Sequence, residues 1–301
     1  MALGFALALI LPASLSAAGT GRTFSTPDDA VAALARAVQS TNRADLLAIF
    51  GPAAGDLVNP DAVQAASEFA TFAVTFNNAH RIVPQSDTRA GLEVGTNNWP
   101  FPVPLVRKDG QWFFDTEEGK HEIINRRIGR NELAVLDAAR AYVQAQREYA
   151  SRDRDGDDVL EYAQNILSSP GLKDGLYWSP ELDGEVSPLG PLVAAAVGEG
   201  YMKSTGERSG PKPFHGYYFK ILTRQGKSAP GGRFSYVTNG KMIGGFALVA
   251  WPAEYGESGI MTFIVNQQGR VYQKDLGPST TKTAPSMREY DPDKTWSVSA
   301  D

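Results

Sequence analysis

The chain of 301 residues contains no cysteine and only three histidines. The lack of cysteine excludes thiol nucleophiles, CxxC redox sites, cysteine-ligated zinc, disulfide bonds and the lipidated cysteine of a lipoprotein. An excess of positive charge is also lacking, since 29 Lys and Arg face 34 Asp and Glu and the formal net charge is -5. No large basic field is therefore available to neutralise phosphates, and nucleic acid is not expected as a partner.

An uncharged apolar block opens the sequence. Residues 1–18 read MALGFALALILPASLSAA and end in small residues, with Ser16 and Ala18 spaced as in an A-x-A cleavage signal. This pattern predicts a signal peptide, although the Lys or Arg that usually lies near Met1 in such a peptide is missing. A buried helix is the alternative. No other stretch approaches the roughly 20 apolar residues that span a bilayer. We expect an exported protein, periplasmic or secreted, with no membrane span after signal cleavage.

Residues 24–128 carry the pattern of an N-terminal α+β domain. Helices are predicted at 30–38, 43–50 and 61–77, the first capped by Thr26 with Pro27 at its first position. Short strands bounded by Gly, Asn and Pro follow at 81–83, 90–94, 103–107 and 111–115. Helices followed by a curled antiparallel sheet predict an α+β cone.

Proline-rich sequence separates two of these strands. At 97–104 the chain reads NNWPFPVP, and alternating prolines force an extended edge or loop. Trp99 and Phe101 on this segment are either a partner-binding surface or the cap of a core.

A second domain is predicted from 129 to 277, with a peripheral tail at 278–301. Gly129 and Asn131 indicate a helix break and a new cap, after which an apolar stripe follows helical spacing through Leu133, Leu136, Ala139 and Val143. Strands are predicted at 214–223, 246–251, 261–266 and 270–274, the last three as an antiparallel meander. The expected result is a long helix packed on a small antiparallel sheet.

An acidic loop interrupts this domain after the long helix. Asp153, Asp155, Asp157 and Glu161 surround Gly156, and carboxylates are the ligands that calcium prefers. The loop departs from an EF-hand, because Asp158 stands at the glycine position and Gln164 at the position of the bidentate glutamate. Two interpretations stay open: a structural Ca²⁺ site formed by these four residues, or a solvated acidic loop.

Other matches to catalytic motifs are incomplete. The sequence His121-Glu122 lacks the second histidine of a zinc helix, Gly226-Lys227-Ser228 lacks the first glycine of a P-loop, and Ser258 lies outside a G-x-S-x-G elbow. We predict no catalytic residue and no cofactor other than the possible calcium ion.

Several specific motifs carry a family resemblance. The segments WPFPVPL at 99–105, RIGRNEL at 127–133, DRDGD at 153–157, GYYF at 216–219 and GGFALVAWP at 244–252 resemble the bacterial family catalogued as domain of unknown function 2950. The resemblance runs over nearly the whole mature chain. It implies an exported bacterial protein without an assigned activity.

Two broader likenesses concern the fold. Residues 131–274 look like the soluble part of type IV pilins and pseudopilins, in which a helix packs on a small antiparallel sheet. Those proteins assemble through an apolar helix at a position where this chain has a polar domain. The N-terminal half is similar to the cone-shaped fold of nuclear transport factor 2 (NTF2) relatives.

Two functional hypotheses follow. The first is a non-enzymatic exported module that binds or scaffolds an unknown envelope protein or small ligand. The second is a hydrolase that uses carboxylates and His215 in a cleft between the domains. Convergence of His215 with two or more acids in a deep pocket would favour the second.

Overall fold

A computed structural model describes residues 21–182, 184–199 and 213–299. The predicted signal peptide lies outside these residues. The described chain divides into two compact units, one of residues 21–57 and 72–121 and the other of residues 58–71 and 122–299. None of the described helices combines the length and the apolar character needed to cross a bilayer.

Helices of very different lengths, antiparallel sheets and one short parallel strand pair make up an α+β structure. The helices are α1 (Pro27–Gln39), α2 (Arg43–Phe50), α3 (Ala62–Asn78), α4 (Thr116–Tyr149), α5 (Gly190–Glu199) and α6 (Thr280–Ser286), with 3-10 turns at Pro52–Leu57 and Gly277–Ser279. The strands of the first unit are β1 (His80–Ser86), β2 (Arg89–Val94), β3 (Trp99–Pro100), β4 (Leu105–Lys108) and β5 (Gln111–Phe114). Those of the second unit are β6 (Asn165–Leu167), β7 (Gly175–Tyr177), β8 (Tyr217–Leu222), β9 (Arg224–Gln225), β10 (Phe234–Ser235), β11 (Val237–Thr238), β12 (Lys241–Met242), β13 (Ala247–Pro252), β14 (Met261–Asn266), β15 (Tyr272–Asp275) and β16 (Ser297–Val298).

Helix α1 begins where its capping residues predict. The Thr26 hydroxyl accepts a hydrogen bond of 3.1 Å from the Asp29 N–H, and Pro27 occupies the first turn, where its missing N–H costs nothing. Ala30, Leu34 and Ala37 on one face are buried. The helix therefore contributes one apolar stripe to the core of the first unit.

The sheet of the first unit is antiparallel in the order β1-β2-β4-β5, with β3 also paired to β2. Its core is aromatic: Phe101 stacks on Phe72 with ring centroids 5.4 Å apart, and Phe50 lies 5.3 Å from Phe114. The proline-rich segment thus splits its two aromatic residues. Phe101 joins the core, whereas Trp99 in the edge strand β3 is 39% exposed.

The prediction of a helix break at Gly129 is wrong. Helix α4 runs without interruption through 34 residues, and a Cβ added at Gly129 would meet no atom within 4 Å. A glycine inside a helix costs only about 0.5–1 kcal/mol relative to alanine, which tertiary packing on both sides of the position outweighs.

The predicted stripe on α4 also needs one correction. Leu136, Ala139 and Val143 are buried, as predicted, but Leu133 is 65% exposed. The buried stripe instead continues through Asn131 and Val135. Leu133 lies two residues after Asn131 and two residues before Val135. Side chains two positions apart point to nearly opposite sides of a helix, so Leu133 faces outward.

The main sheet of the second unit has the order β16-β15-β14-β13-β8, and every pair in it is antiparallel. The predicted meander of the last three strands is confirmed as β13, β14 and β15. Strand β13 is buried along its whole length. Helix α4 packs here: the Tyr142 hydroxyl donates 3.1 Å to the Ala247 carbonyl, and its ring meets Phe246 edge-on at 5.6 Å.

The segment predicted as a peripheral tail takes part in this core. Thr280, Ala284 and Tyr290 are buried, and β16 adds to the sheet edge through Tyr272 and Gln273. The Lys220 ammonium donates to the carbonyls of Pro285 and Met287 at 2.5 and 2.6 Å. These carbonyls close α6, whose C-terminal end favours a cation.

Candidate functional site

The acidic loop follows the end of α4, and Asp153 organises its backbone. One Asp153 carboxylate oxygen accepts from the N–H groups of Asp155 and Gly156 at 3.2 and 2.8 Å, and the other accepts from Asp158 at 2.8 Å. These backbone hydrogen bonds, led by the one from Asp158, lower the pKa of Asp153. Gly156 adopts a φ of 78°, which a residue without a side chain takes readily. The loop is therefore held by its own first aspartate.

The other carboxylates of the loop converge on a lysine from elsewhere in the sequence. The Lys241 ammonium lies 2.5 Å from Asp155 Oδ2, 2.6 Å from Asp157 Oδ2 and 3.0 Å from Glu161 Oε1. Hydrogen bonds to Asp155 and then Asp157 raise the pKa of Lys241, and the bond from Lys241 lowers the pKa of Asp157. The protein itself thus places a positive charge among three of the four predicted calcium ligands.

Metal-binding geometry is nevertheless present in part. One carboxylate oxygen from each of Asp153, Asp155 and Asp157 lies within 4.8 Å of the others. Among the described residues no other group of three or more acids or histidines converges in this way. Such an all-oxygen set suits a hard cation like Ca²⁺ or Mg²⁺. Glu161, the fourth predicted ligand, lies outside that set and contacts Lys241 and the Met242 N–H.

Basic residues of the same loop are fixed on its other side. The Arg154 guanidinium lies 2.5 Å from Glu185 Oε1 and 5.1 Å from the centroid of the Trp178 ring. Lys173 contacts the second oxygen of Glu185 at 2.5 Å. Hydrogen bonds from Lys173 and Arg154 lower the pKa of Glu185. Arginine and aspartate alternate along the loop, and the two charges have different partners. Arg154 pairs with Glu185, whereas Asp155 and Asp157 pair with Lys241.

A second polar cluster involves the segment 127–133 of α4. Asn131 is fully buried; its amide donates 2.8 Å to the Ser258 carbonyl, and its oxygen accepts 3.2 Å from Gln64 Nε2. A buried amide needs such partners, because leaving one unmade costs about 1–3 kcal/mol. Asn131 therefore ties α4 to the loop 254–259 and to the first half of α3, all within the second unit.

Glu132, the next residue, holds the start of β14. Its carboxylate accepts from the N–H groups of Ile260 and Met261, each at 2.9 Å. The Tyr217 hydroxyl donates to the Met261 carbonyl at 3.1 Å, and burial raises the pKa of this tyrosine. Gly259 lies directly beneath that ring. Glu132 and Tyr217 thus hold the end of the 254–259 loop where it enters β14.

Arg127 is the buried charge of this cluster. Its side chain is 3% exposed; Nη2 donates 3.2 Å to the Val58 carbonyl, and Nη1 lies 3.5 Å from Glu257 Oε2. Burial lowers the pKa of this arginine, although the nearby carboxylates of Glu68 and Glu257 favour its charged form. Arg130, one turn later on α4, pairs with Glu68. These interactions are those of a structural ion-pair network.

The residues weighed for catalysis are engaged in structural contacts. Ser258 is 2% exposed. Its hydroxyl accepts a hydrogen bond from the Glu254 N–H at 3.0 Å and donates one to the Glu254 carbonyl at 3.1 Å. His80 stacks on Phe76 at 4.3 Å, and His215 meets Phe214 edge-on at 4.4 Å. His121 is exposed on α4. Three histidines therefore occupy three different local settings.

The segment that ends like a P-loop has a local partner. The Ser228 N–H donates 2.7 Å to Asp291 Oδ1, and a Cβ at Gly226 would lie 2.3 Å from the carboxyl carbon of the same aspartate. The Asp291 carboxylate thus occupies the Ser228 N–H, a backbone donor of the kind that a phosphate would use in a true P-loop.

The first unit carries one open cleft of about 360 Å³. Apolar side chains, including Phe50, Val106 and Phe113, are accompanied by Arg107 and Glu117 at its edge. Both signs of charge are present, so the cleft has no strong preference for an anion or a cation. Its size suits a small ligand.

Sequence reasoning missed Lys241 and the Asn131 cluster. Lys241 follows the Asn-Gly turn of a short hairpin, 80 positions after Glu161, and nothing in the local pattern connects the two segments. Asn131 was expected to cap a helix, a role that its polar side chain equally suits. The signal available in sequence was the dense polar motif at 127–133 itself, which an ordinary exposed helix face does not require.

The fold and these clusters define an α+β protein built mainly on antiparallel sheets, in which Arg127, Arg154 and Lys241 are engaged in ion pairs. A sequence model of the family described as Protein of unknown function (DUF2950) matches residues 21–298, and the chain belongs to this family. No curated protein and no solved structure matches it.

Proposed function

We propose that this chain is an exported, non-enzymatic module that binds or scaffolds a component of the bacterial cell envelope. The apolar, uncharged residues 1–18 with their small-residue ending support export to the periplasm or the medium. The absence of a basic excess argues for a protein or small-molecule partner over a nucleic acid.

The observation that carries the non-enzymatic assignment is the use of the reactive groups. A nucleophilic serine needs a hydroxyl that reaches substrate and a base that accepts its proton. Ser258 instead makes both of its hydrogen bonds to the backbone of Glu254 and is buried. The buried Arg127 is likewise committed to Val58 and Glu257. The hydrogen bonds and ion pairs of these groups stabilise the fold, and their polar atoms are therefore not free to react with a substrate.

Trp99 is the surface residue that we assign to partner binding. Its side chain is 39% exposed on the edge strand β3, between an Asn-Asn turn and alternating prolines that hold the segment extended. Tryptophan contributes a large contact area at low entropic cost and is enriched at binding hot spots. The neighbouring Phe101 anchors the segment in the core. A rigid segment with one outward aromatic residue suits recognition.

Chemical cross-linking of envelope extract to the mature protein tests this assignment. We expect the wild type to capture a specific envelope component, and Trp99→Ala to lose at least about 1.4 kcal/mol of binding free energy, a tenfold loss of affinity. Trp296→Ala is the matched control, because Trp296 is a half-buried tryptophan of the second unit. This variant should capture the component as the wild type does. Equal capture by all three proteins would remove Trp99 from the interface, and turnover of envelope material by the purified protein would refute the non-enzymatic assignment.

We also propose that the acidic loop takes up Ca²⁺ through Asp153, Asp155, Asp157 and Glu161 when the ion displaces Lys241. A ligand that binds only the native state raises the melting temperature. We expect excess calcium to raise the melting temperature of the wild type relative to chelator, to raise that of Lys241→Met more strongly because the ammonium no longer competes, and to leave Asp155→Asn unchanged. Equal melting temperatures with calcium and with chelator, in the wild type and Lys241→Met alike, would rule the site out.

Two finer fold assignments belong with this proposal. Helices packed with a five-stranded antiparallel sheet support an NTF2-like cone for the first unit. The packing of α4 on β13 and β14 supports a helix-on-sheet arrangement like that of pilin soluble domains for the second. Since a polar domain precedes α4, we propose the pilin-like arrangement without filament assembly.

A further inference from the structure

The hairpin that carries Lys241 is too small to hold its position alone. Strands β11 and β12 form two residue pairs only, Val237 with Met242 and Thr238 with Lys241. Their turn is Asn239-Gly240, with φ of 51° and 83°, as the tight turns favoured in hairpins require. An isolated two-stranded hairpin is marginally stable in water. The placement of this hairpin therefore depends on contacts with other segments.

At its base the hairpin is held by the N–H groups of Ile243 and Gly244, which donate 3.0 and 2.9 Å to the Tyr236 carbonyl. Its tip and outer strand contact residues 155–164. The Tyr162 N–H donates 2.8 Å to the Met242 carbonyl, and Gln164 Nε2 donates 2.7 Å to the Gly240 carbonyl. The Met242 N–H donates 3.3 Å to Glu161 Oε2. The Lys241 ammonium forms the ion pairs that the described structure gives between the hairpin and this segment, and it reaches three carboxylates at once.

Apolar side chains are packed where the hairpin meets residues 159–164. The Met242 side chain is fully buried, and Tyr162 packs edge-on against Phe246 at 4.8 Å. The adjacent Leu160 and Ile243 are already 57% and 47% exposed. Undocking would uncover Met242 on the hairpin, next to the exposed Ile243, and Tyr162 on the segment that the hairpin leaves, two residues from the exposed Leu160. Both sides of the opened contact would then present apolar side chains, and exposed apolar surface often marks a protein-binding site.

We propose that Lys241 is an ionic latch that holds the β11–β12 hairpin closed, and that the hairpin opens as a unit when the three lysine–carboxylate contacts are weakened. Asp155 and Asp157 are 54% and 40% exposed and Lys241 is 22% exposed, so dissolved ions can reach these pairs. The Debye length falls from about 10 Å at 0.1 M salt to about 3 Å at 1 M, which weakens the attraction that draws an opened hairpin back. The hydrogen bonds and the buried methionine close the hairpin again when the charges pair. Ionic conditions would thus decide how much of the time the apolar side chains at this contact are exposed.

Hydrogen–deuterium exchange of the full mature protein tests the latch, with peptides covering 159–164 and 236–244 as the readout. At low salt we expect exchange in both segments to be roughly tenfold faster in Lys241→Met than in the wild type, because the closed hairpin is less populated. Raising the salt to about 1 M should accelerate these segments in the wild type and leave Lys241→Met nearly unchanged. Peptides from β13 report global stability and should stay protected throughout.

Two further variants make the test specific. Lys241→Arg keeps the charge and should exchange like the wild type, and Lys227→Met removes an exposed lysine from a different loop and should do the same. Wild-type exchange rates in Lys241→Met would overturn the latch. Faster exchange that extends equally to β13 would also overturn it, because it would mean general destabilisation and no opening of the hairpin as a unit.

Discussion

Leu136→Ala is expected to lower the free energy of unfolding by about 2 to 5 kcal/mol. The Leu136 side chain is 7% exposed and belongs to the core that α4 shares with β8, β13 and β14. Removing three carbons there loses the transfer free energy of the buried surface and leaves a cavity that the close-packed neighbours cannot fill completely. Urea or thermal unfolding, followed by a spectroscopic signal from the second unit, measures the loss of unfolding free energy.

Leu133→Ala is the matched control for this experiment. It makes the same chemical change on the same helix, but Leu133 is 65% exposed. We therefore expect a change within about 0.5 kcal/mol. A loss at Leu133 as large as that at Leu136 would contradict the placement of the buried stripe through Asn131, Val135 and Leu136.

Gly259→Ala is expected to be at least as damaging. A Cβ at this position would lie 2.0 Å from the hydroxyl oxygen of Tyr217 and 2.4 Å from the ring carbon that bears it. Tyr217 is fully buried, so its ring has no open space to move into. Overpacking typically costs 1–3 kcal/mol, and we expect about 3 kcal/mol or more because ring and loop must both shift. Chemical denaturation combined with near-ultraviolet circular dichroism would measure the stability and report the displaced tyrosine.

Gly129→Ala makes the same chemical change as Gly259→Ala, but we expect it to stabilise the protein. The new Cβ would meet nothing within 4 Å, and the position lies inside the continuous helix α4. Alanine there should raise the free energy of unfolding by about 0.5–1 kcal/mol. Destabilisation by this substitution would revive a helix break at Gly129, whereas a neutral Gly259→Ala would contradict the packing of Gly259 under Tyr217.

Local signals in the sequence were sufficient for most elements. The cap at Thr26 with Pro27 predicted the start of α1, and the period-two runs predicted β2, β5 and the antiparallel β13–β15 meander. The same sequence predicted an α+β class, and its motifs predicted the family that the match over residues 21–298 establishes. Each of these properties depends on residues close together in the chain.

Tertiary structure decided what local pattern leaves open. Gly129 stays helical because packing outweighs its low helix propensity, and Leu133 faces outward because the stripe is fixed by the partners of Asn131. The apparent tail contributes Thr280, Ala284 and Tyr290 to the buried residues, because α6 packs against β13 and Tyr290 contacts Tyr272 of β15.

The acidic loop illustrates the same division most clearly. The residues 153–161 determined by themselves that several carboxylates would crowd around a glycine turn, and that their mutual repulsion calls for a cation. Only the folded chain brings Lys241 within 3.0 Å of Asp155, Asp157 and Glu161. Charge attraction acts through space and not along the sequence, so a partner 80 residues away leaves no periodicity or spacing from which it can be predicted.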